Sequence, residues 1–348
     1  MISNKHRTTI AGALVIPALL LGACTQKKDA AASGPGAAAS VTGQIIVSGS
    51  STVAPISNLV REDFIAKNPK VDIVVDGPGT GDGFKLFCQG DTDISDASRP
   101  IKAEEVDACK AAGVEFIELK IGIDGLSVIT PESNPLDCLS FADLYALAGT
   151  ESEGFKKWID AQPLAKELGS KTVFPKENLV ITAPGTESGT YDSFVEIVLA
   201  SAGKPRVEAG NVTKDEGGQA RADYSSSPDD NAIIEGVAGE PGGLGWVGFA
   251  FADQADGVKL MPVAKEAGGD CVAPSTATIQ DGTYPISRNL FIYVNKAKAE
   301  KSKALNAFVD FYLKGLTGFV EAADYIALDD SASTAKIWAD RTAGTTER

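Results

Sequence analysis

The sequence predicts an α/β protein of two lobes with a cleft between them. Three observations carry this. Short apolar runs alternate with stretches whose apolar residues recur at helical spacing, which argues for βα units and a mostly parallel sheet. Turns rich in hydroxyl residues and glycine stand between several of these runs. The apolar runs lengthen near Asp124-Gly125 and again from Tyr284 to Tyr293, where the chain would leave the first lobe and return to it.

Taken in order, 44–47 reads as a strand, 53–67 as a helix and 72–75 as a strand, followed by helices from Asp82 and over 101–112. The stretches 115–119 and 126–129 read as two strands. Beyond the first crossing come helices over 141–148 and 154–159, a strand at 179–182, a helix over 191–202 and a polar loop over 206–230. The glycines of 237–251 suggest tight turns beside a buried Trp246. Helices over 299–314 and 317–326 would pack on the first lobe. The expected division is a signal at 1–23, a flexible tether at 24–43, lobe I at 44–125 and 287–348, and lobe II at 126–286.

The stretch Val47-Ser48-Gly49-Ser50-Ser51-Thr52-Val53 closes the first strand and opens the first helix. A helix start leaves backbone N–H groups without partners and carries about half a positive charge, so hydroxyls crowded there with a glycine make an anion cradle. Taken alone, such a turn reads first as a helix cap. The device recurs at Pro78-Gly79-Thr80-Gly81-Asp82-Gly83, at Ala97-Ser98-Arg99-Pro100 and at Pro184-Gly185-Thr186-Glu187-Ser188-Gly189-Thr190. Four polar helix starts could converge on one anion.

At 348 residues, with 43% hydrophobic and 7% aromatic residues, the chain suits a soluble α/β protein with a substantial core. The formal charge of −15, with no basic run beyond the first residues, argues against nucleic acid as a partner. An anion must then be held by local dipoles and one or two placed cations, because the field of the whole molecule opposes it. The only histidine is His6, inside the signal, which removes Ser-His-Asp and Cys-His catalysis and histidine metal sites from the mature chain. No cofactor, metal site or enzymatic activity is expected.

Lys5 and Arg7 precede an apolar run from Ile10 through Leu21 that ends in Leu21-Gly22-Ala23-Cys24. The run is a secretory signal, too short for a permanent membrane span. Leu-Gly-Ala-Cys resembles the lipobox of bacterial lipoproteins, which implies cleavage before Cys24 and lipid on its thiol. Cys88, Cys109, Cys138 and Cys271 remain, an even number in an exported chain, and allow three disulfide connectivities. Cys88 and Cys109 fall within one supersecondary unit and Cys138 and Cys271 in the middle region, which favours those two pairs.

Gly49-Ser50-Ser51-Thr52-Val53, Asp93-Ile94-Ser95-Asp96-Ala97-Ser98-Arg99-Pro100-Ile101, the Pro184 to Thr190 turn, and Asp229-Asp230-Asn231 followed by Gly236-Val237-Ala238-Gly239 together resemble the phosphate-binding proteins of bacterial ABC uptake systems. The resemblance runs from about Gln44 to beyond Val294. It implies a type II periplasmic-binding-protein fold, with two α/β lobes joined by crossing strands that close on one phosphate, and a monomer that serves membrane permease subunits. The matching positions make Thr52 with the Val53 amide, Thr80, Ser98, Ser188, Gly189 and Thr190 the expected phosphate ligands, with Ser51 beside them. The family's best-known members carry aspartate where Ser98 stands, and arginine and aspartate where this chain has Pro184 and Thr186. Arg99 is therefore the expected cation. Asp124, Glu187 and Asp96 are candidates to accept the phosphate proton, Asp124 first because crossover residues line an interlobe cleft.

Arg221 and Arg288 read as ion pairs rather than site cations. Asp229 reads as a helix cap rather than a calcium ligand, and Trp246, Phe249 and Phe251 as core. The alternatives are a binding protein for sulfate or molybdate and, further off, a phosphate-ester hydrolase.

Overall fold

The computed structural model of the protein describes residues 41–344. The expected signal, Cys24 and most of the tether lie outside them. The strands are β1 Gly43–Gly49, β2 Val71–Asp76, β3 Ile94–Ala97, β4 Phe116–Pro131, β5 Leu139–Ser140, β6 Val180–Ala183, β7 Ser225–Ser226, β8 Gly243–Gly248, β9 Val258–Leu260, β10 Val263–Ala264 and β11 Ser287–Asn295. Among the described residues, nine of these form one sheet in the order β2-β1-β3-β11-β4-β8-β6-β7, with β9 on β4, while β10 pairs with β5. The β1–β2, β1–β3, β6–β7 and β6–β8 pairs are parallel. The pairs made by β11 and β4 in the large sheet are antiparallel.

The long strand β4 organises this sheet. From Phe116 to Gly125 it pairs with β11, and from Leu126 to Ile129 its partner is β8. Two large cores lie on either side of that handover. One draws on Ile45, Phe64, Ile117, Ile292, Phe308 and Tyr312; the other on Tyr145, Trp158, Phe194, Leu244 and Trp246. Two α/β lobes thus share a pair of crossing strands, as the sequence predicts.

The strand β4 is one element where the sequence reads as two. Lys120, Gly122, Asp124 and Gly125 interrupt the apolar run, but each takes a place in the ladder opposite Phe291, Leu290, Arg288 and Ser287. The expected helix over 154–159 is also absent. Short 3₁₀ turns occupy Thr150–Ser152 and Trp158–Ala161, and the α-helix begins only at Gln162. Trp158 is fully buried and donates its indole N–H to the Gly242 carbonyl at 2.9 Å, so tertiary anchoring overrides the local helical spacing. The helix expected over 191–202 starts earlier, at Gly189, and runs through a π-helical turn at Val195–Leu199 to Glu208, taking in part of the expected polar loop. By contrast Phe141–Ala148 is the helix the sequence predicts, capped by Ser140 and Asp143. No helix among the described residues is long and apolar enough to cross a membrane.

Both expected disulfides are formed. Cys88–Cys109 ties the helix Thr80–Gln89 to the helix Ala103–Ala111, the two helices that follow the second and third polar turns. Cys138–Cys271 spans 133 residues of sequence. A cross-link of either kind restricts the unfolded chain, so Cys138→Ser with Cys271→Ser should lower the unfolding free energy by about 2–4 kcal/mol. Urea unfolding monitored by tryptophan fluorescence reads this directly.

Candidate functional site

The four polar turns meet around the handover on β4. The first turn is held from behind by the third strand: the Ser50 amide donates to the Asp96 carbonyl at 2.9 Å. A side chain at Gly49 would put its Cβ 2.1 Å from that same oxygen, so the close approach requires glycine. The second turn is tied to the first by the Gly79 amide on the Gly49 carbonyl at 2.8 Å. It is tied to the third by Thr80 Oγ1, which lies 3.1 Å from Ser98 Oγ and accepts from the Ser98 amide at 3.2 Å. The fourth turn leads into the helix that carries Phe194 into the second core. A Cβ on Gly189 would lie 3.1 Å from the Thr52 Cα, so its absence lets the two turns touch.

The hydroxyls of the first turn do not cap their helix. The helix Ala54–Lys67 has no side-chain cap at its start. Ser51 instead donates to Asp192 Oδ2 at 2.5 Å, and Thr52 Oγ1 accepts from Arg288 Nη2 at 2.9 Å. The local capping reading fails here because both side chains find partners remote in sequence. The Val53 amide closes the turn on the Ser50 carbonyl at 3.2 Å. At the fourth turn Ser188 does act as a cap, accepting from the Thr190 amide at 3.1 Å. Thr52, Thr80 and Ser98 are buried, while Ser188, Gly189 and Thr190 are partly exposed.

Arg288 sits at the centre of this arrangement, its side chain 11% exposed. It faces Asp124 across the ladder and donates from Nε to Asp124 Oδ2 at 3.2 Å. Nη2 reaches both Thr52 Oγ1 and Ser193 Oγ, the latter at 2.6 Å, and Nη1 pairs with Glu196. The single Ser193 hydroxyl hydrogen is shared between Asp124 Oδ2, 2.5 Å from Oγ, and the Gly189 carbonyl, 2.8 Å from it. Tyr325 closes one side, since a Cβ on Gly189 would lie 3.5 Å from its hydroxyl. Burial, reinforced by the Asp124 charge, pushes that phenol far above its usual range.

Arg99, the expected chief cation, has a carboxylate partner of its own. Both of its terminal nitrogens are engaged by Glu105, at 2.8 and 2.6 Å, and its guanidinium carbon lies 5.5 Å from the centre of the Phe84 ring. It borders the second turn, with Nη2 3.9 Å from where a Gly81 Cβ would stand. Arg221 is an internal ion pair, held by Asp223 at 2.5 and 2.8 Å and by the Phe155 carbonyl at 3.1 Å. Among the candidate carboxylates, Asp124 is at the centre. Glu187 folds back over its own turn beside Gly185. Asp96 is wholly buried behind the first turn, accepting from Ser57 Oγ at 3.1 Å. Asp229 caps the helix Asp230–Ala238, and Trp246 stacks on Phe194 at 4.0 Å in the core.

Ser193, Asp192, Glu196 and the central place of Arg288 escape a reading of the sequence by motif. The spacing of Gly189, Asp192, Ser193 and Glu196 at i, i+3, i+4 and i+7 is a signal that one helix face turns toward the site. Nothing local marks Arg288, because its role follows from its register opposite Asp124.

A profile of the PBP superfamily domain matches residues 34–315. Protein SphX of Synechococcus elongatus is 36% identical over 292 residues, covering 84% of this chain and 79% of that protein. The phosphate-binding protein PstS of Staphylococcus saprophyticus is 32% identical over 323 residues, covering 92% of this chain and 88% of its own. The crystal structure of a "possible phosphate binding protein" from Planctomyces limnophilus superposes with a TM-score of 0.74 at 34% identity, covering 87% of this chain and 100% of that one.

Burial pushes the Asp96 carboxyl up from 3.8 to about 7, against the opposing Ser57 hydrogen bond and with a further push from Asp76. In the unfolded chain it ionises near its ordinary value, so it favours folding below about pH 4 and that contribution is lost as pH rises toward 7. Asp96→Asn should flatten this part of the pH dependence, gaining stability relative to wild type between pH 4 and pH 7. Urea midpoints at the two pH values measure it.

Proposed function

This chain belongs to the PBP superfamily, and we propose that it captures inorganic phosphate between its two lobes outside the cytoplasm and hands the ion to an ABC-transporter permease. The observation that carries the reading is the meeting of the first polar turn and the helix of the fourth at one nearly buried arginine, held by Thr52 and Ser193 beside Asp124 and Glu196, with the second and third turns tied to the first. Oxyanions suit such a place. Helix starts supply oriented N–H groups, Thr52, Thr80, Ser98, Ser188 and Thr190 supply hydroxyls, and Arg288 supplies a planar fork of donors. The names of the relatives, PstS and the Planctomyces limnophilus protein among them, support phosphate as the ion. In this reading Arg288, not Arg99, is the principal cation, and Arg99 stands at the rim.

The division into lobe I at 44–125 and 287–348 and lobe II at 126–286 agrees with the two cores and with the handover on β4. Lobe I would bring Thr52, Thr80 and Ser98, and lobe II would bring Ser188, Gly189 and Thr190, so that binding requires both. Asp124 is the carboxylate we place nearest the ion. The protein acts as a monomer tethered to the outer face of the membrane by lipid on Cys24, a reading supported by Leu21-Gly22-Ala23-Cys24. Cys24→Ser should then move the protein from the membrane fraction to the soluble extracytoplasmic fraction, as detergent partitioning and mass spectrometry would record.

Arg288→Lys keeps a positive charge opposite Asp124 but cannot serve Asp124, Thr52 and Ser193 at once. Calorimetric phosphate affinity should fall by roughly 10- to 100-fold, the worth of one or two charge-assisted hydrogen bonds. Arg99→Ala should cost less than about tenfold. The reverse order would place the ion at Arg99. Affinity for sulfate or molybdate above that for phosphate would reassign the ligand.

A further inference from the structure

The helix that begins at the fourth turn carries two carboxylates toward the anion cradle, Asp192 and Glu196. A protein that captures an anion has no obvious use for them there. Asp192 has a hydroxyl partner on the first turn, Ser51. Burial raises its pKa, with Ser51 opposing and the charge of Glu196 adding to the rise. Glu196 is different. Its side chain is 59% exposed, yet it reaches inward to Arg288, whose side chain is only 11% exposed.

The other donors of Arg288 are committed: Nε to Asp124, Nη2 to Thr52 and Ser193. Nη1 is the remaining terminal donor, and the carboxylate it meets, Glu196, is the most exposed of the partners of this guanidinium. Glu196 also acts on Arg99: its charge, after the Glu105 hydrogen bond and charge, helps hold that guanidinium protonated. The nearby cations already have carboxylate partners of their own, Asp124 for Arg288 and Glu105 for Arg99. Glu196 is thus an additional negative charge set between two arginines, on the donor an arriving anion would use.

We propose that Glu196 is a built-in competitor for Arg288, an internal carboxylate that a captured anion must displace from Nη1 and that lowers the affinity so that the ion can be released. This rests on the reading of the site as an anion cradle. Because the side chain is exposed, displacement needs only a rotamer change and no rearrangement of the core. The repulsion is also screened by salt, unlike that of a buried carboxylate.

The test is phosphate calorimetry on wild type, Glu196→Gln and Glu300→Gln at low and high ionic strength. Glu300 is an exposed carboxylate on the helix Lys296–Lys301, and its variant removes the same unit of charge away from the site. Glu196→Gln should bind phosphate roughly three- to tenfold more tightly than wild type at low salt. The gain should shrink at about 0.5 M salt, and Glu300→Gln should match wild type throughout. Unchanged or weaker binding by Glu196→Gln overturns the proposal, since the carboxylate would then merely position Arg288. An equal gain in both variants also overturns it, by making the effect one of net charge. Wild type that binds no phosphate refutes the functional reading itself, and the competitor falls with it.

Discussion

The ion pair between Asp124 and Arg288 is the interaction on which the rest of the site depends. It is made where β4 gives up its pairing with β11 and takes up β8, so it lies at the junction of the two lobes. The pair is set by strand register: Asp124 and Arg288 face each other across an antiparallel ladder, and a slip of β11 by one residue would turn Arg288 to the face opposite Asp124. Both are nearly buried, at 6% and 11% exposure. Two such charges are tolerated only when their remaining donors and acceptors are met, and removing one would strand the other at a cost of about 3–5 kcal/mol. Ser193, just after the fourth polar turn, and Thr52, in the first, meet those needs. The same contacts that satisfy the pair therefore bring the first and fourth turns together.

Overall charge and local charge pull in opposite directions. With −15 over the chain, long-range steering does not favour an incoming anion. What attracts is short-ranged: helix starts, hydroxyls and guanidinium groups, felt only within the cleft. The arginines there are each matched by carboxylates, Arg288 by Asp124 and Arg99 by Glu105. In the proposed reading, affinity depends on how well an ion replaces a carboxylate as the partner of Arg288, rather than on a large positive field.

Much of the fold is legible in the sequence because the devices are local. The strand-turn-helix units at Gly49 to Val53 and at Thr80, the helix Phe141–Ala148 and the core role of Trp246 all follow from spacing and residue type. The continuity of β4 was hidden by Lys120, Gly122 and Asp124, whose place in a strand depends on partners distant in sequence. Trp158 misled in the same way, since its anchoring on Gly242 replaces a helix with short turns. In the site, the turns are legible and the arginine that meets Thr52 and Ser193 is not. Arg99 carries the local signature, at a helix start beside Ser98, but Glu105 six residues later takes both of its terminal nitrogens. Arg288 has no such signature, and only the register of β11 on β4 brings it to Thr52.

A crystal structure of the protein grown with phosphate tests the central claim most directly. The account predicts one phosphate ion between the first and fourth turns, with oxygens within hydrogen-bond distance of the Arg288 guanidinium, the Thr52 hydroxyl and the Gly189 or Thr190 amide. A phosphate ion held instead by Arg99 at the rim, with Arg288 still engaged only by Asp124, Ser193 and Glu196, would contradict it.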